Sequence, residues 1–470
     1  MARKVFISFL GTNNYLQTKY ELSGNVSGVV RFVQQALIEF LCKDWTEDDS
    51  VMIFYTKKSH DVNWLDNGQK RMIEGAEIEK KGLCSTLNDM HFPMKIEGYE
   101  IDEGFSEEEI WKIFTCVTDK LQSGDQIYFD VTHAFRSIPL FSVVLFNYAR
   151  FMKNTKLVSI HYGAFEKLGP AYEVKEKPVD ERVAPIIDLT SLVSLQNTNV
   201  AASNFFEFGK VGTIGNQLQA QTYNSTTVSY KSADAIKKLR EQLTKLDFYI
   251  ETCRLQDIRD GDYIRKIRES FKTVMNSGNV HEPEKELLRK IKSQLESFGF
   301  VPDRSEANVR AAIRWALQYN MLQQAYTLGQ ESVITKFASL ISRQDDWMER
   351  FSAQGVTLGH RTIRDFAGGV LGALKSKYQY DIKADHQIRD FTDKDKETLR
   401  QKRQDLAMCL FSLNWVVTLK QKYNVLRENR NSLNHGKGGN KTMNDMIREF
   451  EQNFDDCLMI IEYAEKTYFT

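Results

Sequence analysis

The chain is poor in the residue clusters that bind metal ions. Its six cysteines are scattered, and no CxxC pair occurs. That usage is typical of a reduced, intracellular protein and provides no zinc site. The eight histidines form no HExxH motif and no pair four residues apart. We therefore predict no metal at the functional site.

Long apolar runs are missing as well. No run reaches the length of a membrane span, and the apolar residues 5–10 are too few for the hydrophobic part of a signal peptide. We therefore expect a cytoplasmic protein with no membrane partner.

The chain also lacks an excess of one charge, since it has 63 basic and 63 acidic residues. A net charge of zero argues against a protein that coats nucleic acid with its whole surface, so any RNA contact must be local. One local excess lies between residues 420 and 441, where Glu428 is the single acidic residue. The basic residues of this segment are Lys420, Lys422, Arg427, Arg430, Lys437 and Lys441.

Proline nearly disappears after Pro185, and the hydrophobic pattern changes near the same point. Before it, short apolar runs at 5–10, 51–55, 127–131 and 157–162 alternate with segments of helical periodicity. A length of 470 residues also exceeds one ordinary domain. This order predicts an α/β N-terminal domain with a mostly parallel, doubly wound, Rossmann-like sheet, followed by an all-α C-terminal part.

Ligands of such a sheet bind at the carboxyl ends of its strands. None of the four predicted ends carries a carboxylate, and their small, polar or basic residues suit phosphodiester oxygens and bases better than a cation. The first end lacks GxGxxG spacing, which disfavours a nicotinamide dinucleotide. A turn that merely caps the next helix is the alternative reading. The candidate ligand-binding residues are Gly11, Thr12, Asn13, Thr56, Lys57, Thr132, His133, Phe135, Arg136, Ser137 and Gly163.

The basic segment near the C-terminus carries a second candidate site. Arg430 and His435 lie five residues apart, which is about 500° of rotation on a regular helix and places them about 140° apart. They cannot share one face unless the helix bends or a partner chain completes the site. With no carboxylate cluster beside it, this pair suggests RNA cleavage by positioning and proton transfer. The alternative is a surface arginine beside a histidine that caps the helix before Gly436.

Three segments together resemble the CRISPR-associated ribonucleases of the Csx type, which join a CARF sensor domain to a HEPN effector domain in type III systems. Residues 130–137 (DVTHAFRS) resemble the strand-end motif of CARF domains. Residues 185–192 (PIIDLTSL), followed by 204–209 (NFFEFG), resemble the passage from the sensor to the helical part. Residues 430–435 (RNSLNH) match the HEPN pattern of Arg, a polar residue, a short gap and His.

The resemblance implies a CARF ligand-sensing domain at 1–187, a helical linker and insertion at 188–354, and a HEPN ribonuclease core at 355–470, with the start of the HEPN helices as early as 190 left open. It implies a homodimer, or a higher oligomer of dimers, whose CARF domains bind a cyclic oligoadenylate made by a type III CRISPR complex. Cyclic tetra-adenylate is the most frequent activator of the family. Binding activates a HEPN site shared by two chains, which cuts single-stranded RNA without a metal or other cofactor and leaves a 2′,3′-cyclic phosphate.

In that shared site, His435 acts as a general acid or base, and Arg430 stabilises charge on the phosphate. Asn431 orients the ribose or the phosphate. Arg427 and Lys437 are candidate RNA contacts. Two other functions remain open: a CARF-containing regulator that binds nucleic acid without cleaving it, and a HEPN toxin ribonuclease that needs no ligand.

Overall fold

A computed structural model describes residues 2–68, 70–73, 76–133, 138–224, 230–276, 280–351, 360–373, 378–379, 392–436 and 440–468. The candidate residues Phe135, Arg136, Ser137 and Lys437 lie outside the described residues. The chain divides into two compact units, Met1–Gln196 and Asn197–Thr470. The three-part division expected from the resemblance stays a prediction.

The N-terminal unit is built around a mixed β-sheet. Its strands are β1 (Lys4–Leu10), β2 (Lys19–Leu22), β3 (Asn25–Val26), β4 (Ser50–Tyr55), β5 (Lys70–Ile73), β6 (Ala76–Glu79), β7 (Lys95–Glu100), β8 (Gln126–Asp130), β9 (Lys156–Gly163) and β10 (Val183–Asp188). Its helices are α1 (Val33–Leu41), α2 (Lys57–Ser59) with the π-helical turn His60–Trp64, α3 (Leu83–Asn88), α4 (Glu107–Lys120), α5 (Ile138–Lys153), α6 (Ala171–Val174) and the short 3-10 turns Phe165–Leu168 and Val179–Glu181.

Within the described residues, eight strands form one sheet in the order β3-β2-β10-β9-β8-β1-β4-β7, and β5 and β6 form a separate hairpin. Strands β9, β8, β1, β4 and β7 run parallel, and β10 pairs antiparallel with β9. The order of the five parallel strands is that of a doubly wound, Rossmann-type sheet, and β10 extends it antiparallel to β9 and pairs on its other side with β2. The predicted α/β N-terminal part and its four central strands are confirmed.

Sequence patterns missed the strands that lie outside the doubly buried centre. Strand β7 is only partly buried and carries Gly98 among charged residues, so it has no apolar run. Strand β10 contains Pro185, and it pairs with β2 through its first three residues and with β9 through its last three. Neither strand shows the periodicity by which strands are recognised.

Alternate residues of β1 pack against opposite layers of helices. Phe6 and Leu10 belong to one hydrophobic cluster with residues of α1 and α3. Val5, Ile7 and Phe9 belong to a second cluster with residues of α4 and α5. Both faces of this central strand are buried, so its sequence is a continuous apolar run rather than an alternating one.

The described residues after β10 are mostly helical, as predicted. The helices that follow β10 are α7 (Thr190–Phe208), α8 (Gly212–Asn224), α9 (Tyr230–Glu251), α10 (Leu255–Asp260), α11 (Asp262–Met275), α12 (Glu282–Ser297), α13 (Glu306–Gln318), α14 (Leu322–Ser342), α15 (Asp345–Phe351), α16 (His360–Gly372), α17 (Asp393–Ser412), α18 (Asn414–Asn434) and α19 (Met443–Tyr468). Across the described ranges, every helix is too short or too polar to span a bilayer.

A continuous hydrophobic core runs through the helical unit and includes residues from Ala201 to Ala464. The ring of Tyr326 on α14 lies 4.9 Å from that of Phe450 on α19, measured between centroids. Helices on both sides of residue 354 share this core. The predicted insertion and the predicted HEPN core therefore pack as one body, and the HEPN assignment stays a prediction.

Candidate functional site

The first candidate site lies where the strand order of the sheet reverses. The chain proceeds from β1 to β4 and β7 on one side, and then returns to β8 and β9 on the other. At such a switch point a crevice forms outside the carboxyl ends of the strands, and it is the usual ligand position in open α/β sheets. The candidate residues at 11–13 and 132–133 follow β1 and β8.

Asp130 ends β8 and is fully buried. Its carboxylate accepts hydrogen bonds from Ser8 Oγ at 2.7 Å, from the Thr132 amide at 2.9 Å and from Thr132 Oγ1 at 2.5 Å. Thr132 Oγ1 in turn accepts from the Gly163 amide at 2.8 Å. Burial raises the pKa of Asp130, and the bonds from Thr132 and Ser8 oppose that rise. Asp130 thus ties two candidate residues, Thr132 and Gly163, into one structure.

Asn63 holds the segment that follows β1, although no sequence pattern pointed to it. It is fully buried, and its Nδ2 donates to the carbonyl oxygens of Gly11 and Asn13, both at 2.9 Å. Its Oδ1 accepts from Arg31 Nη2 at 2.8 Å. Because a buried amide bonds both carbonyls, this segment is held more firmly than a turn whose carbonyls bond only to water.

An aromatic pair connects the two strand ends. The ring of Tyr15 lies 4.4 Å from that of His133, and a Cβ atom on Gly11 would come within 2.5 Å of the Tyr15 hydroxyl oxygen. Burial lowers the pKa of His133 to about 4, so its imidazole is neutral near pH 7. The paired rings of Tyr15 and His133 are neutral, which suits a nucleobase better than a cation.

The two candidate residues that follow β4, Thr56 and Lys57, differ in their exposure. Thr56 is buried and caps α2, with its amide donating to Ser59 Oγ at 2.8 Å. Lys57 is exposed. Thr56 is therefore engaged within the chain, and Lys57 is free to reach an anion. The candidate residues Phe135, Arg136 and Ser137, which complete the segment after β8, are outside the described residues.

The second candidate site is the last turn of α18. Arg430 is half-buried, and its Nε donates to Thr327 Oγ1 on α14 at 3.3 Å. Asn431 and His435 are exposed. The His435 amide closes the helix by donating to the Asn431 carbonyl at 3.0 Å, and Gly436 follows with a φ of 59°, the left-handed conformation that ends many helices.

These positions place the two predicted catalytic side chains in different environments. Arg430 is turned toward α14 and is fixed there, whereas His435 is exposed at the helix end. That arrangement agrees with a separation of about 140° on one helix. It also gives His435 the capping position of the alternative interpretation, so the exposure of its ring, rather than its backbone role, is what leaves it available to a substrate.

A network of polar side chains next to the last turn of α18 joins this helix to α14 and α19. Asn429 is 8% exposed, and its Nδ2 donates to Glu449 Oε2 at 2.8 Å and to the Tyr326 hydroxyl at 3.2 Å. Lys441, two residues before α19, donates to Glu449 at 2.6 Å and to Asn429 Oδ1 at 3.3 Å. The chain just before α19 is thus anchored to the helix that carries Arg430.

Several cations of the basic segment are already engaged. Lys422 pairs with Asp456 at 2.8 Å, and the ammonium of Lys420 lies 4.6 Å from the centre of the Phe411 ring. Arg427 Nη1 donates to the carbonyl of Gly372. The local charge excess seen in the sequence is therefore smaller in the folded unit, and Arg427 is held by the backbone of α16. Lys437 lies outside the described residues.

In the part of the chain that the structure describes, no three histidine, cysteine, aspartate or glutamate side chains come together in a way that could hold a metal ion.

The fold and the two sites define a two-part protein with a Rossmann-type α/β unit and a helical unit. No family model matches the chain. The chain is similar to CRISPR-associated protein MJ1674 of Methanocaldococcus jannaschii, with 25% identity over 311 residues, 58% of this chain and 43% of that protein. The chain thus spans less than half the length of this relative.

Proposed function

We propose that this protein is an endoribonuclease that a cyclic oligoadenylate activates, cyclic tetra-adenylate being the expected activator. The observation that carries the proposal is the end of α18, where Arg430 is held by Thr327 and His435 is exposed one turn further on. The similarity to a CRISPR-associated protein and the ligand-type edge of the Rossmann-type sheet support it.

The proposed reaction uses the 2′-hydroxyl of the RNA itself. Its oxygen bonds to the adjacent phosphorus while the bond from phosphorus to the 5′ oxygen breaks. The products are a 2′,3′-cyclic phosphate and a 5′-hydroxyl. His435 moves a proton, either from the 2′-hydroxyl or to the leaving 5′ oxygen. Arg430 stabilises the charge that builds on the phosphate, and Asn431 orients the ribose or phosphate.

The separate environments of Arg430 and His435 favour a site shared between two chains. In a homodimer, the two helix ends would supply two arginines and two histidines to one cleft. The RNA would then be the bridging ligand, and DNA would resist cleavage because it lacks the 2′-hydroxyl. In the N-terminal unit, we propose that the segment after β1, Lys57, Thr132, His133 and Gly163 contact the cyclic oligoadenylate.

A fluorogenic single-stranded RNA assay tests the proposal. We expect cleavage only when cyclic tetra-adenylate or a related ring is added, and we expect it to persist in EDTA. His435→Ala should lower the rate by about 100-fold or more, the usual contribution of a general acid or base. Lys394→Ala, an exposed change on α17, serves as the control.

Full RNA cleavage by His435→Ala would overturn the catalytic assignment. Cleavage without any oligoadenylate would favour the ligand-independent toxin. Binding of duplex DNA without RNA cleavage would favour the regulator.

A further inference from the structure

Three helices of the C-terminal unit meet around Arg430. Thr327 and Glu331 lie four residues apart on α14, hence on the same face and one turn from each other. Thr327 accepts a hydrogen bond from Arg430 of α18. Glu331 forms an ion pair with Arg364 of α16. The guanidinium groups of Arg430 and Arg364 are therefore held by adjacent turns of the same helix.

Tyr423 shows that these groups share one environment. Burial, the largest cause, and the charge of Glu331 raise the pKa of its hydroxyl, Arg427 and Arg430 lower it, and the net pKa is about 12. Electrostatic effects of this kind require the charges to be close to the ring. Tyr423, Arg427 and Arg430 also fall on one face of α18, at spacings of four and three residues.

Arg364, Arg427, Arg430 and Glu331 form a cluster with three cationic side chains and one anionic side chain. Arg427, Arg430 and Glu331 all act on Tyr423, and Arg364 pairs with the same Glu331 carboxylate. The three arginines are only partly exposed. Partly buried charges of one sign repel each other and lose hydration, which is costly unless an anion joins them.

Two arginines of the cluster also have nitrogen donors without an acceptor among the described residues, which favours the binding of an anion. Within the described ranges, Arg364 Nε and Arg427 Nε are buried and have no hydrogen-bond acceptor. Arg427 donates another nitrogen to the Gly372 carbonyl, which fixes it to the backbone. Arg364 is held by a side chain instead, and a carboxylate can be exchanged for another anion. Arg364 is thus the member of the cluster best placed to change partner.

We propose that Arg364, beside Arg430, binds a backbone phosphate of single-stranded RNA, and that Glu331 is the resident counter-ion which this phosphate displaces. The planar fork of an arginine matches a phosphate as well as a carboxylate, so the exchange needs only a small rearrangement. Glu331 keeps Arg364 oriented in the absence of RNA. This inference rests on the proposed ribonuclease function, because it assigns a substrate contact to that same site.

Binding of a fluorescein-labelled, single-stranded oligoribonucleotide to the full-length protein, with cyclic tetra-adenylate present, tests the proposal. The measurements use the His435→Ala background so that the RNA stays intact. Arg364→Gln should weaken binding by about 10-fold, as expected for one charge-assisted contact. The slope of log K against log salt should fall by about 0.7, the value for one phosphate contact on a single strand.

Glu331→Gln should act in the opposite direction. Removing the competing carboxylate should tighten RNA binding, whereas a variant that merely damaged the fold would weaken it. Arg400→Gln is the matched control, since Arg400 pairs with Glu397 on the exposed face of α17. Its affinity and salt slope should equal those of the parent protein.

Steady-state cleavage separates this inference from the proposed function. With His435 intact, Arg364→Gln should raise KM while kcat stays nearly constant. Unchanged KM, affinity and salt slope in Arg364→Gln, in a protein that cleaves RNA, would overturn the phosphate contact alone. Weaker RNA binding by Glu331→Gln would overturn the displacement of Glu331. A parent protein that cleaves no RNA with any cyclic oligoadenylate would instead overturn the proposed function.

Discussion

The buried amide of Asn429 donates to Glu449 Oε2 at 2.8 Å and so joins α18 to α19 directly behind the candidate catalytic turn. The same amide reaches the Tyr326 hydroxyl at 3.2 Å. Three helices are therefore tied together by one side chain, next to Arg430. We therefore expect Asn429 to contribute to the stability of the fold, and its exposed neighbour Asn431 to contribute to activity.

Asn429→Ala should destabilise the protein by about 1–3 kcal/mol, because it leaves buried partners unsatisfied. Thermal unfolding followed by circular dichroism should show a midpoint lower by several degrees. The exposed neighbour Asn431 gives the matched comparison: Asn431→Ala should leave the midpoint unchanged and lower RNA cleavage. Equal midpoints for Asn429→Ala and the parent protein would show that the network does not brace this turn.

Asn63→Ala should weaken the binding of cyclic tetra-adenylate. Without its Nδ2, the carbonyls of Gly11 and Asn13 lose their shared donor. The segment after β1 must then become ordered when the ligand binds, and this ordering makes the free energy of binding less favourable. We expect a loss of about 10-fold in affinity, measured by isothermal titration calorimetry.

Asn67→Ala is the control for that measurement. Asn67 is exposed, and its amide donates to the carbonyls of Asp61 and Val62 rather than to the segment after β1. Its affinity should equal that of the parent protein. An Asn63→Ala variant that is folded and binds the ring with full affinity would remove this segment from the ligand site.

Asp247 should make stability depend on pH. It accepts hydrogen bonds from the amides of Val211 and Gly212 at 3.1 and 2.7 Å, yet burial raises its pKa to about 6. The folded state therefore binds a proton that the unfolded state has released between about pH 4 and pH 6. The contribution of Asp247 to stability is complete below this window and is lost as the pH rises through it.

Urea unfolding at a series of pH values measures this effect. Asp247→Asn cannot titrate, so its stability relative to the parent protein should rise between about pH 4 and pH 6 and stay level above that range. Parallel curves for the two proteins would show that the carboxyl group has the same pKa in the folded and unfolded states.

Much of the sheet was predictable from sequence because its central strands are buried on both faces. Residues 5–10 and 51–55 are unbroken apolar runs for that reason, and the predicted strands agree with β1 and β4. Strand β7, at the edge, and strand β10, with Pro185, have no such run and were missed. The candidate ligand residues follow the ends of the central strands, and the end of an apolar run can be recognised from the local sequence.

The partners of the candidate residues could not be predicted in this way. Asn63 and Gly11 are 52 positions apart, and Arg430 and Thr327 are 103 positions apart. Their hydrogen bonds depend on where separate elements pack, which no local pattern encodes. The same holds for Lys422 and Lys441, whose carboxylate partners lie on α19 and reduce the charge excess that the sequence displayed.

The sequence alone determined the four central strands, the change to a helical part, and the end of α18 at Gly436, because each depends on residues close together in the chain. The tertiary structure decided which faces those elements bury and which charges are left without a partner. It brought Arg364 and Arg430 to neighbouring turns of α14 through Glu331 and Thr327, which lie four residues apart. Such long-range contacts follow from the packing of whole helices, and charge compensation is a property of that packing rather than of composition.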